Sequence, residues 1–194
     1  WRAPEAETRG AANDGGTPPA DVAINEFRVS SGGASDDTSN FVELTAAPGQ
    51  GFDGLTLLAI SGEFEPGQVD FAISLDGAVA DENGFLLIAE ESNPALESGD
   101  VGVAGLDFFG SPQSFLVVDG FAGNAGDDLD ADNDGALDSD VGAILASLSL
   151  VDGDTTPDVN YSRDVFGPDG NFTPAGGARN PDGSGDFTQL EFGD

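Results

Sequence analysis

The stretch Val69-Asp70-Phe71-Ala72-Ile73-Ser74-Leu75-Asp76-Gly77 decides the fold class, because large apolar side chains occupy every second position up to a turn dipeptide. Successive side chains of a β-strand point to opposite faces, so this alternation predicts a strand with one buried and one exposed face. Short apolar runs bounded by similar turn dipeptides recur from Asp21 onward. Many short strands with regular turn signals predict an all-β chain, folded as an antiparallel sandwich or barrel.

Apolar runs lie on both sides of that stretch. Those before it begin at Val22, Phe41 and Leu55. Those after it cover residues 84–89, 101–109, 115–118, 144–151, 159–166 and 187–192. Only residues 93–97 and 141–146 have sequences compatible with a helical turn, so helix should contribute very little to the fold.

Residues 1–20 differ from the rest of the chain, since they are rich in Gly, Pro and Ala and have no apolar periodicity. This composition predicts an N-terminal tail or donor strand, followed by one domain over residues 21–194. Leu, Ile, Val and Phe make up about a quarter of the chain, enough for a hydrophobic core. Because the chain lacks Met and starts at Trp1, we expect a leader or upstream region in its precursor.

The chain of 194 residues has 37 acidic and five basic residues, all five of them arginine, and a net charge of −32. This charge makes DNA and RNA poor candidate partners and favours divalent cations. Without His or Cys, Ser-His-Asp and Cys-His catalysis and the soft metal ligands are excluded. No apolar run reaches the roughly 18 residues of a membrane span. An acidic, lysine-free surface is typical of a halophilic protein, and an ordinary secreted acidic bacterial protein fits equally well.

The strongest local motif is the segment 126–140, GDDLDADNDGALDSD, which has seven aspartates within fourteen residues. Two carboxylates about 4 to 5 Å apart repel by roughly 3 to 4 kcal/mol at an effective dielectric constant of 20. A compact loop that holds several of them therefore requires a cation. Asp130, Asp132 and Asp134 alternate before Gly135, as in calcium loops that take carboxylates from positions 1, 3 and 5, a glycine at position 6 and a carbonyl from position 7.

We therefore predict Ca²⁺ as the cofactor, with ligands from Asp128, Asp130, Asp132, Asp134, Ala136, Asp138 and Asp140. Position 12 is Val141 instead of the glutamate of a helix-loop-helix hand, so Asp128 or Asp140 would complete the shell. The segment is similar to the DxDxDG loops of thrombospondin type 3 and dockerin modules. A solvated acidic loop without an ion is the alternative. Solvated surface is the simpler interpretation of the other acidic pairs, Asp36-Asp37, Glu90-Glu91 and Asp152 with Asp154.

The order of the strand motifs resembles the lamin-tail domain. The motifs are Ile24-Asn25-Glu26, Phe41-Val42-Glu43-Leu44 and Gly54-Leu55, followed by Phe115-Leu116-Val117-Val118, the acidic loop, Tyr161-Ser162, 166–170 and 179–183. The resemblance covers roughly residues 20–192 and implies an immunoglobulin-like antiparallel β-sandwich with a long calcium-binding loop. It also implies a scaffolding, adhesion or targeting role without catalytic residues. Bacterial and archaeal members occur in secreted proteins, often beside nuclease or phosphatase domains.

These observations predict a non-catalytic structural module that is stabilised by calcium and is secreted or lies at the cell surface. We expect it to self-associate as a homo-oligomer, filament, sheath or surface layer through its tail and sheet edges. The alternative is an accessory domain of a larger extracellular nuclease or phosphatase. A third hypothesis, a carboxylate-pair hydrolase, requires an acid and a base at a defined separation in a cleft, and a chain this acidic contains such pairs by chance.

Overall fold

A computed structural model describes residues 21–29 and 39–190 as two β-sheets that pack face to face. The predicted tail, residues 1–20, lies outside the described residues. The strands are β1 (Ala23–Arg28), β2 (Phe41–Thr45), β3 (Leu55–Ser61), β4 (Val69–Ser74), β5 (Phe85–Glu90), β6 (Val101–Val103), β7 (Gln113–Asp119), β8 (Ala143–Leu150), β9 (Val165–Phe166), β10 (Gly176–Asn180) and β11 (Asp186–Gln189). The prediction of an all-β sandwich is confirmed.

The first sheet has the strand order β11-β10-β1-β2-β5-β6, and the second has the order β4-β3-β7-β8-β9. Neighbouring strands are antiparallel except for the pairs β5–β6 and β8–β9, which are parallel. Both sheets are therefore mixed and not purely antiparallel. The two parallel strands are short edge strands reached through the long connections 91–100 and 151–164, which return the chain in its original direction.

The main core lies between the sheets and is rich in phenylalanine. Phe27, Phe108 and Phe115 are fully buried, and the rings of Phe108 and Phe115 meet edge to face with their centroids 5.0 Å apart. A second apolar cluster lies on the outer face of the second sheet and combines strand residues with residues of the loops: Leu58, Ile60, Val69, Leu116, Val118, Leu129, Val141 and Tyr161. Because β7 is covered on both faces, its sequence is a continuous apolar run.

Two local predictions differ from the structure. Residues 141–146 do not form a helical turn, since β8 begins at Ala143 and pairs with β7 along its length, which satisfies its backbone hydrogen bonds on that side. The apolar run 159–166 contributes only the two-residue strand β9, because Tyr161 and Ser162 are engaged in side-chain hydrogen bonds. Within the described ranges, no helix is long and apolar enough to cross a membrane.

Candidate metal centre

The acidic motif lies in the connection between β7 and β8, which crosses the outer face of the second sheet. Backbone hydrogen bonds fasten it to the β3–β4 turn, where the amide of Leu129 donates to the carbonyl of Gly67 at 2.9 Å. The amide of Val69 donates to the carbonyl of Asp127 at 2.9 Å. Gly67 has a φ of +88°, and a Cβ atom there would lie 2.8 Å from the backbone nitrogen of Asp130. The turn and the acidic loop are therefore in direct contact.

Asp130 is fully buried and is the most constrained carboxylate of the loop. Its Oδ1 accepts a hydrogen bond from the amide of Asp134 at 3.1 Å, and its Oδ2 accepts one from the amide of Gly135 at 2.9 Å. The hydroxyl of Tyr161 also donates to Oδ2, at 2.8 Å. Burial acts to raise the pKa of Asp130, but the hydrogen bonds from Tyr161, Gly135 and Asp134 outweigh it and lower the pKa below its ordinary value. Asp130 is therefore a buried carboxylate held in its charged form.

Asp132 and Asp138 join Asp130 in a group in which one carboxylate oxygen of each residue lies within 4.8 Å of the other two. Both of these additional side chains are exposed. Repulsion from Asp134, together with burial and the charge of Asp138, raises the pKa of Asp132. An oxygen-rich group of this kind could hold a metal ion, which would remove the repulsion between its carboxylates.

The conformation of the loop follows its sequence. Gly135 has a φ of +86°, and Asn133 has a φ of +55°, the only non-glycine residue with a positive φ in the part of the chain that the structure describes. Both favour such a backbone, glycine because it has no Cβ and asparagine because its short polar side chain tolerates it. With its amide nitrogen turned toward the neighbouring carbonyls, Asn133 donates to Pro66 at 2.8 Å and to Asp130 at 3.1 Å.

The other predicted ligands lie in the same loop but outside the three-carboxylate group. Their contacts are local: Asp134 accepts from the amide of Ala136 at 2.8 Å, Asp128 from that of Asp130 at 3.1 Å, and Asp140 from that of Gly142 at 2.9 Å. Asp138 also accepts a hydrogen bond from the amide of Ala131, at 3.1 Å. The structure thus brings together three of the six predicted aspartates. A fourth, Asp134, is the largest cause of the raised pKa of Asp132.

Tyr161 is the contact that the sequence reasoning missed. It is buried, and its amide donates to the hydroxyl of Ser114 on β7 at 3.1 Å, which fixes its backbone against the sheet. Burial is the largest cause of a strong rise in its pKa, followed by the hydrogen bond to Asp130 and the charges of Asp130 and Asp128. The sequence does contain one signal for this contact: the only tyrosine of the chain lies in the run 159–166, between Asn160 and Ser162.

A second group of three carboxylates combines Glu63 of the β3–β4 turn with Asp152 and Asp154 of the 151–164 connection, and one oxygen from each lies within 4.8 Å of the others. Burial, and then repulsion from Asp152, Asp154 and Asp158, raises the pKa of Glu63. The Oδ1 atom of Asp158 is buried and has no hydrogen-bond partner among the described residues, while its Oδ2 accepts from the amide of Asp152 at 3.2 Å. Sequence spacing paired Asp152 with Asp154, but Glu63 is distant in the chain and could not be found in this way.

Comparison of the chain with protein-family models, with curated proteins and with solved structures finds no match in any of the three. The resemblance to the lamin-tail domain therefore stays a prediction from the sequence motifs.

Proposed function

We propose that the chain is a non-catalytic structural module, similar to a lamin-tail domain, whose 126–140 loop binds Ca²⁺ and is stabilised by it. The observation that supports this proposal is the group formed by Asp130, Asp132 and Asp138, in which one carboxylate oxygen of each residue lies within 4.8 Å of the other two. Three anionic groups this close repel one another unless a cation lies between them. The module acts outside the cell, in a secreted protein or at the cell surface.

Calcium fits this loop better than the other common cations. The donors are carboxylate oxygens, with the carbonyl of Ala136 available at position 7 of the motif, and such hard ligands suit Ca²⁺ and Mg²⁺. Ca²⁺ accepts six to eight ligands in irregular geometry, whereas Mg²⁺ requires near-ideal octahedral geometry. Asp130 is the fixed ligand because three hydrogen bonds orient it, and the exposed Asp132 and Asp138 can adjust around the ion.

The bound ion would stabilise more than the loop itself. Leu129 and Val141 of the same connection pack on the outer face of the second sheet, and Tyr161 joins that cluster while its hydroxyl bonds to Asp130. By neutralising the carboxylates, the ion would therefore also stabilise the packing of the loop residues over this second apolar cluster. This arrangement supports a structural role, since the ion would strengthen the packing of the loop on the sheet.

Thermal unfolding with Ca²⁺ and with a chelator tests the calcium site. A ligand at 100 times its dissociation constant stabilises the folded state by about 2.7 kcal/mol, and 1 kcal/mol corresponds to about 2–4 °C for a chain of this size. We expect Ca²⁺ to raise the Tm by about 5–11 °C and Mg²⁺ to raise it much less. The exposed substitution Asp138→Asn should remove most of this shift, and Asp186→Asn, which neutralises an exposed aspartate outside both carboxylate groups, should leave it unchanged.

A calcium shift that persists in full in Asp138→Asn would place the ion elsewhere, and the absence of any shift in the unaltered protein would contradict the calcium site. Self-association is the second part of the proposal, and two features support it: edge strands of both sheets that pair on one side among the described residues, and the Gly/Pro/Ala-rich N-terminal segment. Light scattering over a range of protein concentrations in Ca²⁺, with electron microscopy of the largest species, tests this part independently of the unfolding measurement.

A further inference from the structure

We propose that the N-terminal segment of a neighbouring copy, within residues 1–20, adds as an extra strand to the outer edge of β8. This inference rests on the self-association part of the proposed function and names the surface that carries it. The observation behind it is a groove beside an incompletely paired strand, at the point where the N-terminal segment joins β1.

The outer edge of β8 is covered over only part of its length. On its inner edge β8 pairs with β7 from Ala143 to Leu150, but on its outer edge β9 pairs only with Ser149 and Leu150. The amide of Ser149 donates outward to the carbonyl of Asp164 at 2.8 Å. Backbone groups of a strand alternate in direction with a period of two, so the amide and carbonyl of Ser147 point to the same outer side. No backbone hydrogen bond within the described ranges engages them, which makes this edge a template for strand addition.

A cavity of about 600 Å³ lies along this open edge. Its walls are the edge itself (144–147), the first described residues of the chain (22–24), the segment 161–164 and the side chain of Arg179. Ile144 is 46% exposed at the beginning of the strand. The volume is that of an ordinary ligand pocket, and four successive residues of strand backbone in its wall suit an extended peptide.

The charge of the groove identifies the chemistry of its occupant. Two of the five arginines of this strongly acidic chain, Arg163 and Arg179, line it. Arg179 donates to the carbonyl of Ile24 at 2.8 Å and pairs with Asp164 at 3.1 Å, whereas Arg163 is exposed and forms no salt bridge with any described residue. Asp164 also lines the groove and neutralises Arg179, so Arg163 is the charge that attracts an acidic side chain to this edge of a strongly acidic molecule.

The N-terminal segment has the matching pattern. Glu5, Glu7 and Arg9 alternate along the segment, so an extended backbone places two carboxylates and one guanidinium on the same face, with Glu5 and Glu7 toward Arg163 and a net charge of −1. Ala6 and Thr8 then lie on the other face, and every residue from 5 to 9 has an amide hydrogen for the strand ladder. A β-strand formed by residues 5–9 would extend the second sheet beyond β8.

The donor comes from a neighbouring copy because of how the segment joins the domain. Residues 22–24 line the groove and lead directly into β1, so few residues separate this edge from the N-terminal segment of the same chain. Pro18 and Pro19 restrict the backbone of those few residues, which disfavours pairing of the segment with its own β8. A donor on one copy and an acceptor on the next form a head-to-tail contact, which repeats into an open chain.

Charge reversal in the full-length protein tests the pairing. In Ca²⁺, the donor variant Glu5→Arg/Glu7→Arg and the acceptor variant Arg163→Glu should each raise the concentration for half-assembly by about tenfold or more, which is the effect of losing a close charge pair. The protein with all three substitutions should regain assembly, because the charges are again complementary. Ser147→Pro, which removes the outward amide, should also prevent assembly, and circular dichroism and the calcium-dependent Tm shift establish which variants are folded.

Mixing the two single-site variants gives the sharpest result. The intact segment of the acceptor variant matches the intact groove of the donor variant, and the reversed segment of the donor variant matches the reversed groove of the acceptor variant. An equimolar mixture should therefore assemble into an alternating chain, although neither variant assembles alone at the same concentration. Assembly of both variants at the concentration of the unaltered protein, or a mixture that stays monomeric, would overturn the inference while leaving self-association and calcium binding intact. An unaltered protein that stays monomeric at every concentration would instead contradict the self-association on which the inference rests, and the Tm shift would still decide the calcium site separately.

Discussion

Replacing Tyr161 by phenylalanine should destabilise the protein by about 1.5–3 kcal/mol, the range for a hydrogen bond to a charged group. The hydroxyl of Tyr161 donates to Oδ2 of Asp130 at 2.8 Å, and the two residues are 8% and 0% exposed. Phenylalanine keeps the ring within the second apolar cluster, so the measured loss reports on the hydroxyl. Asp130 would then retain only the amide hydrogen bonds from Asp134 and Gly135.

Urea and thermal unfolding in the presence of a chelator measure this loss without a contribution from calcium. A loss of 1.5–3 kcal/mol should lower the Tm by about 3–12 °C. Ser162→Ala is the matched control, because it removes a neighbouring hydroxyl that bonds only to the hydroxyl of Ser147 and to the amide of Asp164, and it should have a smaller effect. If Tyr161→Phe is as stable as the unaltered protein within about 0.5 kcal/mol, the bond between Tyr161 and Asp130 does not hold the loop.

Three further perturbations have definite expected outcomes. Burial and Asp130 raise the pKa of Tyr161, the only side chain that ordinarily titrates between about pH 9 and 12 here, so stability that is full below about pH 10 should fall as the pH rises further, in step with phenolate absorbance. Asp132→Asn should stabilise the protein in chelator, because Asp134 repels the native carboxylate, and destabilise it in saturating Ca²⁺; unfolding curves with the same sign in both would contradict the site. Gly67→Ala should lower the Tm more than Gly77→Ala, since both have positive φ but only the first places a Cβ against Asp130, and equal losses would show that this contact is unimportant.

The sequence predicts the position of a strand most directly where large apolar residues alternate along it, as they do from Val69 to Leu75. The alternation corresponds to β4 and the residue that follows it. Phe71, Ile73 and Leu75 pack in the main core, but a register shift beside Ile60 places Val69 in the second apolar cluster. Residues 141–146 have a sequence compatible with a helical turn, but β8 begins within them at Ala143. The strand forms there because β7 supplies hydrogen bonds that no local pattern encodes. The parallel edge strands β6 and β9 depend in the same way on long-range pairing.

The candidate metal site likewise has a part that local sequence predicts and a part that depends on long-range packing. The alternate spacing of Asp130 and Asp132, and Asp138 at position 9, indicates carboxylates that share one loop, and the structure brings one oxygen of each within 4.8 Å of the others around the turn at Gly135. Tyr161 and Glu63 reach the two acidic groups from other loops, and their contribution follows from the packing of the 151–164 connection and the β3–β4 turn. Spacing within one segment can therefore predict the ligands of a loop site but not the residues that fasten the loop to the sheet.

Tyr161 also connects the two proposed interactions of the molecule. Its hydroxyl bonds to Asp130 in the calcium loop, its amide bonds to the hydroxyl of Ser114, and that hydroxyl lies 2.6 Å from the hydroxyl of Ser149 on β8. The same residue forms part of the groove beside β8. If Ca²⁺ orders this segment, strand addition becomes tighter in calcium, and by linkage assembly must raise the affinity for calcium by the same factor. Equal calcium affinities in assembled and dispersed chains would mean that the two sites act independently, although they share a residue.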